Sequence, residues 1–196
     1  MNYLAHAYLS FHRPHVLVGN MISDFVKGGQ KNGYAVSVQQ GILLHRAIDS
    51  FTDEHPATAE AKQFFRPHYR LYSGPIVDVL YDHFLAKDET VFPAGSLLRF
   101  TEEVYQTLEE ETVHLPSRFL PAFAYMKMEN WLYNYRTTEG IAKSLRGLVR
   151  RAAFMSDSAT AVELLHKHYD ELRHCYEEFF PAVKQMAKQK LAELSA

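Results

Sequence analysis

The chain has 196 residues, 47% hydrophobic and 22% charged, the size and composition of one ordinary domain with a core, which excludes a disordered chain. Twenty-one Lys and Arg against 23 Asp and Glu give a formal charge of -2, so a general polyanion binder is disfavoured and no nucleic-acid partner is expected. The single cysteine, Cys175, rules out an internal disulfide and a four-thiolate zinc site, and no apolar stretch reaches membrane-spanning length; the expectation is a soluble, cytoplasmic protein.

In chain order, the first segment is a mostly apolar run over residues 3–9 that contains His6. A lone histidine on an apolar face is ordinarily a satisfied core residue. GNMISDFV follows at 19–26 with Asp24, which by itself reads as a cap. Residues 35–52 carry Leu44, Ile48 and Phe51 at spacings of four and three, an amphipathic helix that Pro56 should end. His45 and Asp49 are four apart on it and Asp53 continues their row, so imidazole and carboxylate share a face. Alone, such a pair is more often a surface hydrogen bond, and Arg46 a surface residue that is also available to a phosphate.

Residues 75–86, PIVDVLYDHFLA, spread Ile76, Val77, Val79, Leu80, Phe84 and Leu85 almost all round the helix, which predicts burial. Asp78 and Asp82 nevertheless stand four apart on one face, with His83 adjacent. Two carboxylates in a low-dielectric interior repel each other and lose hydration, so they need a cation or must take up protons. A metal ion answers that need, and buried arginines are the alternative.

Residues 97–113 place Leu98, Thr101, Val104, Tyr105 and Leu108 on an apolar stripe and five glutamates on a solvated acidic face. Helical segments over 120–135, 139–153, 159–180 and 181–194 complete the chain, with Pro181 suited to a first turn. Within 139–153, Lys143, Arg146 and Arg150 share one face, with Arg136 and Arg151 nearby. This is either a solvated basic face or a dock for an acidic partner. Strand signals are sparse, and Gly and Pro occur only as short punctuation. The expected fold is therefore all-α, a single-domain multi-helix bundle over residues 1–196.

No phosphate-binding glycine loop, GxGxxG, GxSxG or HExxH motif occurs in the sequence, and Cys175 has no activating neighbour in reach. Four separate segments each place metal-capable side chains among apolar neighbours, as an oxygen and nitrogen site in a bundle requires. His6, Asp24, His45, Asp78 and Asp82 are the candidate ligands.

MNYLAH, GNMISDFVKG, GILLHRAIDSFTDEHP, DVLYDHFL and MENWLYNYR, in this order, resemble the motifs of the acyl carrier protein phosphodiesterases. The likeness is close over residues 1–136 and looser beyond, where Phe179, Phe180 and Pro181 form an aromatic-proline ending. The resemblance implies a helical metallophosphodiesterase similar to the HD phosphohydrolases and typically manganese-dependent, which removes 4'-phosphopantetheine from holo acyl carrier protein. By position, His6, Asp24, His45, Arg46, Asp49, Asp78, Asp82 and His83 fall in its motifs. Tyr3 stands where Phe is common and Ala47 where a second Arg is common, and no His-Asp dipeptide occurs, so the ligand set of HD proteins cannot be copied across. The implied cation is Mn2+, with Mg2+ or Fe2+ as alternatives. Arg46 would hold the phosphate, and His83 or Asp49 would orient water or protonate the leaving serine oxygen. Lys143, Arg146 and Arg150 would dock the acidic carrier. Two alternatives stay open: a metallophosphohydrolase of small phosphodiesters or nucleotides, and a non-catalytic helical binding module whose buried acids are structural.

Overall fold

The computed structural model describes residues 1–152, 155 and 157–196, the side chain of Arg151 excepted. Its helices are α1 (Tyr3–Tyr8), α2 (Pro14–Ile22), α3 (Val36–Glu54), α4 (Pro56–Tyr69), α5 (Ser73–Lys87), α6 (Ser96–Glu110), α7 (Leu120–Met128), α8 (Trp131–Asn134), α9 (Thr138–Arg151), α10 (Ala159–Lys167) and α11 (Tyr169–Ser195). Short 3-10 turns link several of them, and no strand occurs among the described residues. The all-α expectation therefore holds. No helix among the described residues is long and apolar enough to cross a membrane.

Two glycines set the arrangement of the first half. A Cβ on Gly19 would lie 2.0 Å from the Val38 carbonyl oxygen, and one on Gly41 would lie 2.2 Å from that of Val16. The backbones of α2 and α3 thus touch directly, and any side chain at either position would force them apart. Against this pair α1 packs between α2 and α5, while α11 covers α3 and α4. The core between them includes Leu4, Ile42, Ile48, Phe65 and Tyr81, with Tyr81 stacked on Phe179 at 4.9 Å.

α5 is buried nearly all round, as its composition predicts, with Ile76, Val77, Val79, Leu80, Phe84 and Leu85 enclosed. Elsewhere the boundaries differ from the sequence reading. Pro56 ends α3 and also opens α4, in which Pro67 is accommodated. The segment 120–135 breaks at Asn130, which adopts a left-handed conformation at φ 45. The chain breaks near His168 and then runs unbroken through Pro181, because Phe179, Phe180 and Val183 are buried on either side of it and tertiary packing outweighs the missing N–H. On α6 the apolar stripe runs through Leu97, which is buried, whereas Leu98 is 37% exposed. The expected end of the 139–153 helix at Ala153 lies outside the described residues.

Candidate metal centre

α1 is only six residues long and could not hold a helical shape alone. Its first-turn amides are satisfied by side chains: Asn2 Oδ1 accepts from Tyr3 N at 2.9 Å, and the carboxylate of Asp82 on α5 accepts from Leu4 N at 2.7 Å and Ala5 N at 3.2 Å. This fixes the helix that carries His6. α2 and α3, in contact through their glycines, supply Asn20 and His45. The two imidazoles are buried and stacked, with ring centroids 3.9 Å apart.

Asn20 contacts both rings: its Oδ1 lies 2.8 Å from His6 Nδ1, and its backbone carbonyl accepts from His45 Nδ1 at 2.7 Å. Both Nε2 atoms point to Asp49, whose Oδ1 is 3.1 Å from His6 Nε2 and whose Oδ2 is 3.1 Å from His45 Nε2. Asp24 approaches the same His45 nitrogen at 3.3 Å and is mostly exposed, so the cluster opens to solvent on that side. His6, His45 and Asp49 form a group whose ligand atoms are close enough to share one metal ion.

Burial pushes the imidazole of His6 down to about 4, with the neighbouring His45 adding to the effect. Burial also opposes charge on His45, but the carboxylates of Asp24 and Asp49 outweigh it and raise this imidazole to about 9. Asp49 is itself disfavoured by burial yet lies well below the usual carboxylate range, because it faces both histidines. Asp24 is lowered by its contact with His45. At neutral pH, with no metal bound, a proton on His45 therefore supplies the positive charge that the two acids require. Nevertheless, His45 Nε2 is a buried nitrogen with no well-formed hydrogen bond.

The structure brings His6, Asp24, His45 and Asp49 together; Asp78 lies across the Met1 amine from Asp49, and Asp82 faces the first turn of α1. Asp82 has no arginine partner among the described residues: both its oxygens are engaged by backbone amides, and burial pushes its carboxyl up to about 7. Asp78 Oδ1 accepts from the Met1 amine at 2.9 Å, and that amine is 3.7 Å from Asp49. His83 points away from this group, its Nδ1 donating to the Tyr135 carbonyl at 2.7 Å and its Nε2 lying 3.2 Å from the Tyr169 hydroxyl. Arg46 is exposed and donates to the Val26 carbonyl, on the segment that follows Asp24. Lys143, Arg146 and Arg150 line a surface cavity of about 360 Å³ with Tyr125 and Trp131. Trp131 also meets Tyr3 of α1 at 5.8 Å, three residues from His6. Lys143 lies 3.3 Å from Glu129, whereas Arg146 and Arg150 have no carboxylate partner among the described residues.

Asn20, which contacts both rings, was not singled out from the sequence. The available signal was its place in the apolar helix α2 (Pro14–Ile22), where a buried amide must find partners for all its polar atoms.

The family model described as acyl carrier protein phosphodiesterase matches residues 1–183. Curated relatives bearing that name include proteins from Yersinia pestis, 32% identical over 97% of this chain and 99% of its own length, and from Enterobacter sp. (strain 638), 33% identical over the same shares. A third, from Photorhabdus laumondii, is 30% identical over 97% of this chain and 96% of its own. No solved structure matches the chain.

Proposed function

This chain belongs to the acyl carrier protein phosphodiesterase family, a family of hydrolases, and on that premise we propose that it hydrolyses the 4'-phosphopantetheine linkage of holo acyl carrier protein with the help of a divalent cation. The products are apo carrier and 4'-phosphopantetheine. His6, His45 and Asp49 hold the cation, with Asp24 at their solvent edge.

The observation that carries this reading is the convergence of two buried imidazole nitrogens and a carboxylate on one point, with His45 Nε2 lacking a well-formed hydrogen bond. Imidazole and oxygen donors without thiolate suit Mn2+, with Mg2+ or Fe2+ as alternatives. A cation bound there supplies Lewis-acid activation of water and offsets charge on a phosphoryl oxygen. The chain does the rest. Asp24, exposed and held ionised by His45, stands where it can accept a proton from incoming water. Arg46 places a cationic group beside the same opening for the phosphate. Asp82 acts through α1, whose N-terminus it anchors, and so holds His6 in place.

The carrier docks on the α9 face, where Arg146 and Arg150, without a carboxylate partner among the described residues, offer positive charge to an acidic protein. Lys143 contributes less, since it is already within ion-pair distance of Glu129. The test is incubation of the purified protein with holo carrier and Mn2+, read by intact-protein mass spectrometry. Loss of the whole phosphopantetheine arm is expected. An intact carrier alongside cleavage of small diesters would overturn the substrate assignment.

A further inference from the structure

We propose that Asn20 is a positioning residue which holds a proton on Nδ1 of both histidines of the cluster, so that Nε2 is the atom of each ring left to face the cation position. The inference rests on reading His6 and His45 as cation ligands.

The hydrogen-bond directions leave no freedom. Asn20 Nδ2 lies 2.8 Å from the carbonyl oxygen of His6 and 3.1 Å from Ser10 Oγ. A carbonyl oxygen only accepts, so the nitrogen of the amide must point there and the oxygen must point to His6. The Ser10 hydroxyl in turn donates to the His6 carbonyl at 2.8 Å, which leaves its oxygen free to accept from Asn20. Asn20 Oδ1 therefore accepts, and His6 Nδ1, 2.8 Å away, must carry the proton. The same residue's backbone carbonyl, also acceptor-only, requires a proton on His45 Nδ1 at 2.7 Å. Asn20 is fully buried, so water does not compete for these bonds.

The consequence appears on the other side of the rings. A neutral His6 held this way has no proton for Asp49, and its Nε2 lone pair faces the Asp49 Oδ1 lone pairs at 3.1 Å. Freed from Asn20, the ring would move its proton to Nε2 and donate to that carboxylate, which would remove a ligand. The Asn20 side chain thus opposes the tautomer that Asp49 would otherwise select. The arrangement remains unfavourable until a cation lies between them.

Histidine tautomers can be read directly by long-range 1H–15N correlation spectra of protein labelled at histidine, without metal and with Zn2+ as a diamagnetic probe. In the wild-type protein, metal-free His6 is expected as the Nδ1–H tautomer, and Zn2+ should shift the Nε2 resonances of both rings. Asn20→Leu removes the side-chain acceptor but keeps the backbone carbonyl. His6 should then change to Nε2–H while His45 keeps its Nδ1 proton, and Zn2+ affinity should fall about 10–100-fold. Asn20→Asp restores an acceptor and should restore the Nδ1–H form of His6. An Nε2–H tautomer in wild-type His6 would overturn the proposal whatever the variants do. If the tautomer is as stated but Zn2+ moves neither Nε2 resonance, the cation reading itself has failed.

Discussion

Binding of Mn2+ to the metal-free protein should release about one proton between pH 6 and 8, and that proton should come from His45. In this window His6, pushed down to about 4, is already neutral, and Asp49 is ionised. His45, raised to about 9 by Asp24 and Asp49 against the opposing effect of burial, is the ligand still protonated. Each cation must displace that proton, so the apparent affinity should rise roughly tenfold per pH unit, about a hundredfold across the window. An unperturbed histidine would complete this change near about 6.5; the two carboxylates move it upward. Isothermal titration calorimetry in buffers of different ionisation enthalpy counts the proton directly. His45→Gln should bind more weakly and release none. The sign of the linked stability effect follows from the same shift. Because the folded-state value lies above the unfolded one, the His45 contribution, on the order of 3 kcal/mol, is complete below about 6.5 and disappears as pH rises through about 9. The metal-free melting temperature should fall over that range. Proton release that is absent in wild type, or that persists in His45→Gln, would refute the assignment.

Three further outcomes are expected. Asp82→Ala leaves the buried amides of Leu4 and Ala5 without acceptors, so metal-free protein should lose about 2 kcal/mol or more and melt roughly 4–8 °C lower; Asp82→Asn should retain most of that stability, and equal melting of Ala variant and wild type would show that Asp82 does not anchor α1. Gly41→Ala must move α2 from α3, since its Cβ would meet Val16 O at 2.2 Å; stability should fall by about 1–3 kcal/mol and Mn2+ affinity with it, and calorimetric binding unchanged from wild type would disconnect the helix contact from the site. Reversing Arg146 and Arg150 to Glu should lower kcat/KM for the carrier at least tenfold at low salt, less as screening shortens to roughly 8 Å at physiological ionic strength, with a small phosphodiester little affected; equal losses on both substrates would make the α9 face an ordinary solvated one.

The fold was legible where one local signal dominated. α5 carries apolar residues on every side and is buried on nearly every side; α3 has a clear apolar stripe and a proline at its end. It was illegible where tertiary contacts override a local rule. Pro181 should begin a helix, but the buried residues around it carry α11 straight through, while Asn130 breaks a segment whose apolar pattern continues. In the site, the spacing of His45 and Asp49 stated a real geometric fact, since residues four apart on a helix do face one direction. The same rule applied to Asp78 and Asp82 gave the direction without the partner. A buried carboxylate can be satisfied by a cation, a proton or backbone amides, and the amides of α1, 77 and 78 residues away, are invisible to spacing.

That difference explains how Asp82 on α5 supports the histidine cluster through the backbone of α1. α1 has too few residues to sustain its own hydrogen-bond ladder, so the position of His6 is determined by what holds its ends: Asp82 at the first turn, and Asn20 through the ring and the carbonyl of His6 itself. Asn20 is in turn located by the contact between Gly19 and Gly41, which brings its carbonyl to His45. The geometry of the His6, His45 and Asp49 group is therefore set by three backbone approaches, at Asp82, at Asn20 and between Gly19 and Gly41, none of which supplies a ligand atom to that group. Substitutions at Gly41, Asn20 or Asp82 should change cation affinity together with stability, whereas changes at Asp24, which is exposed and supports no backbone, should change catalysis with little effect on folding.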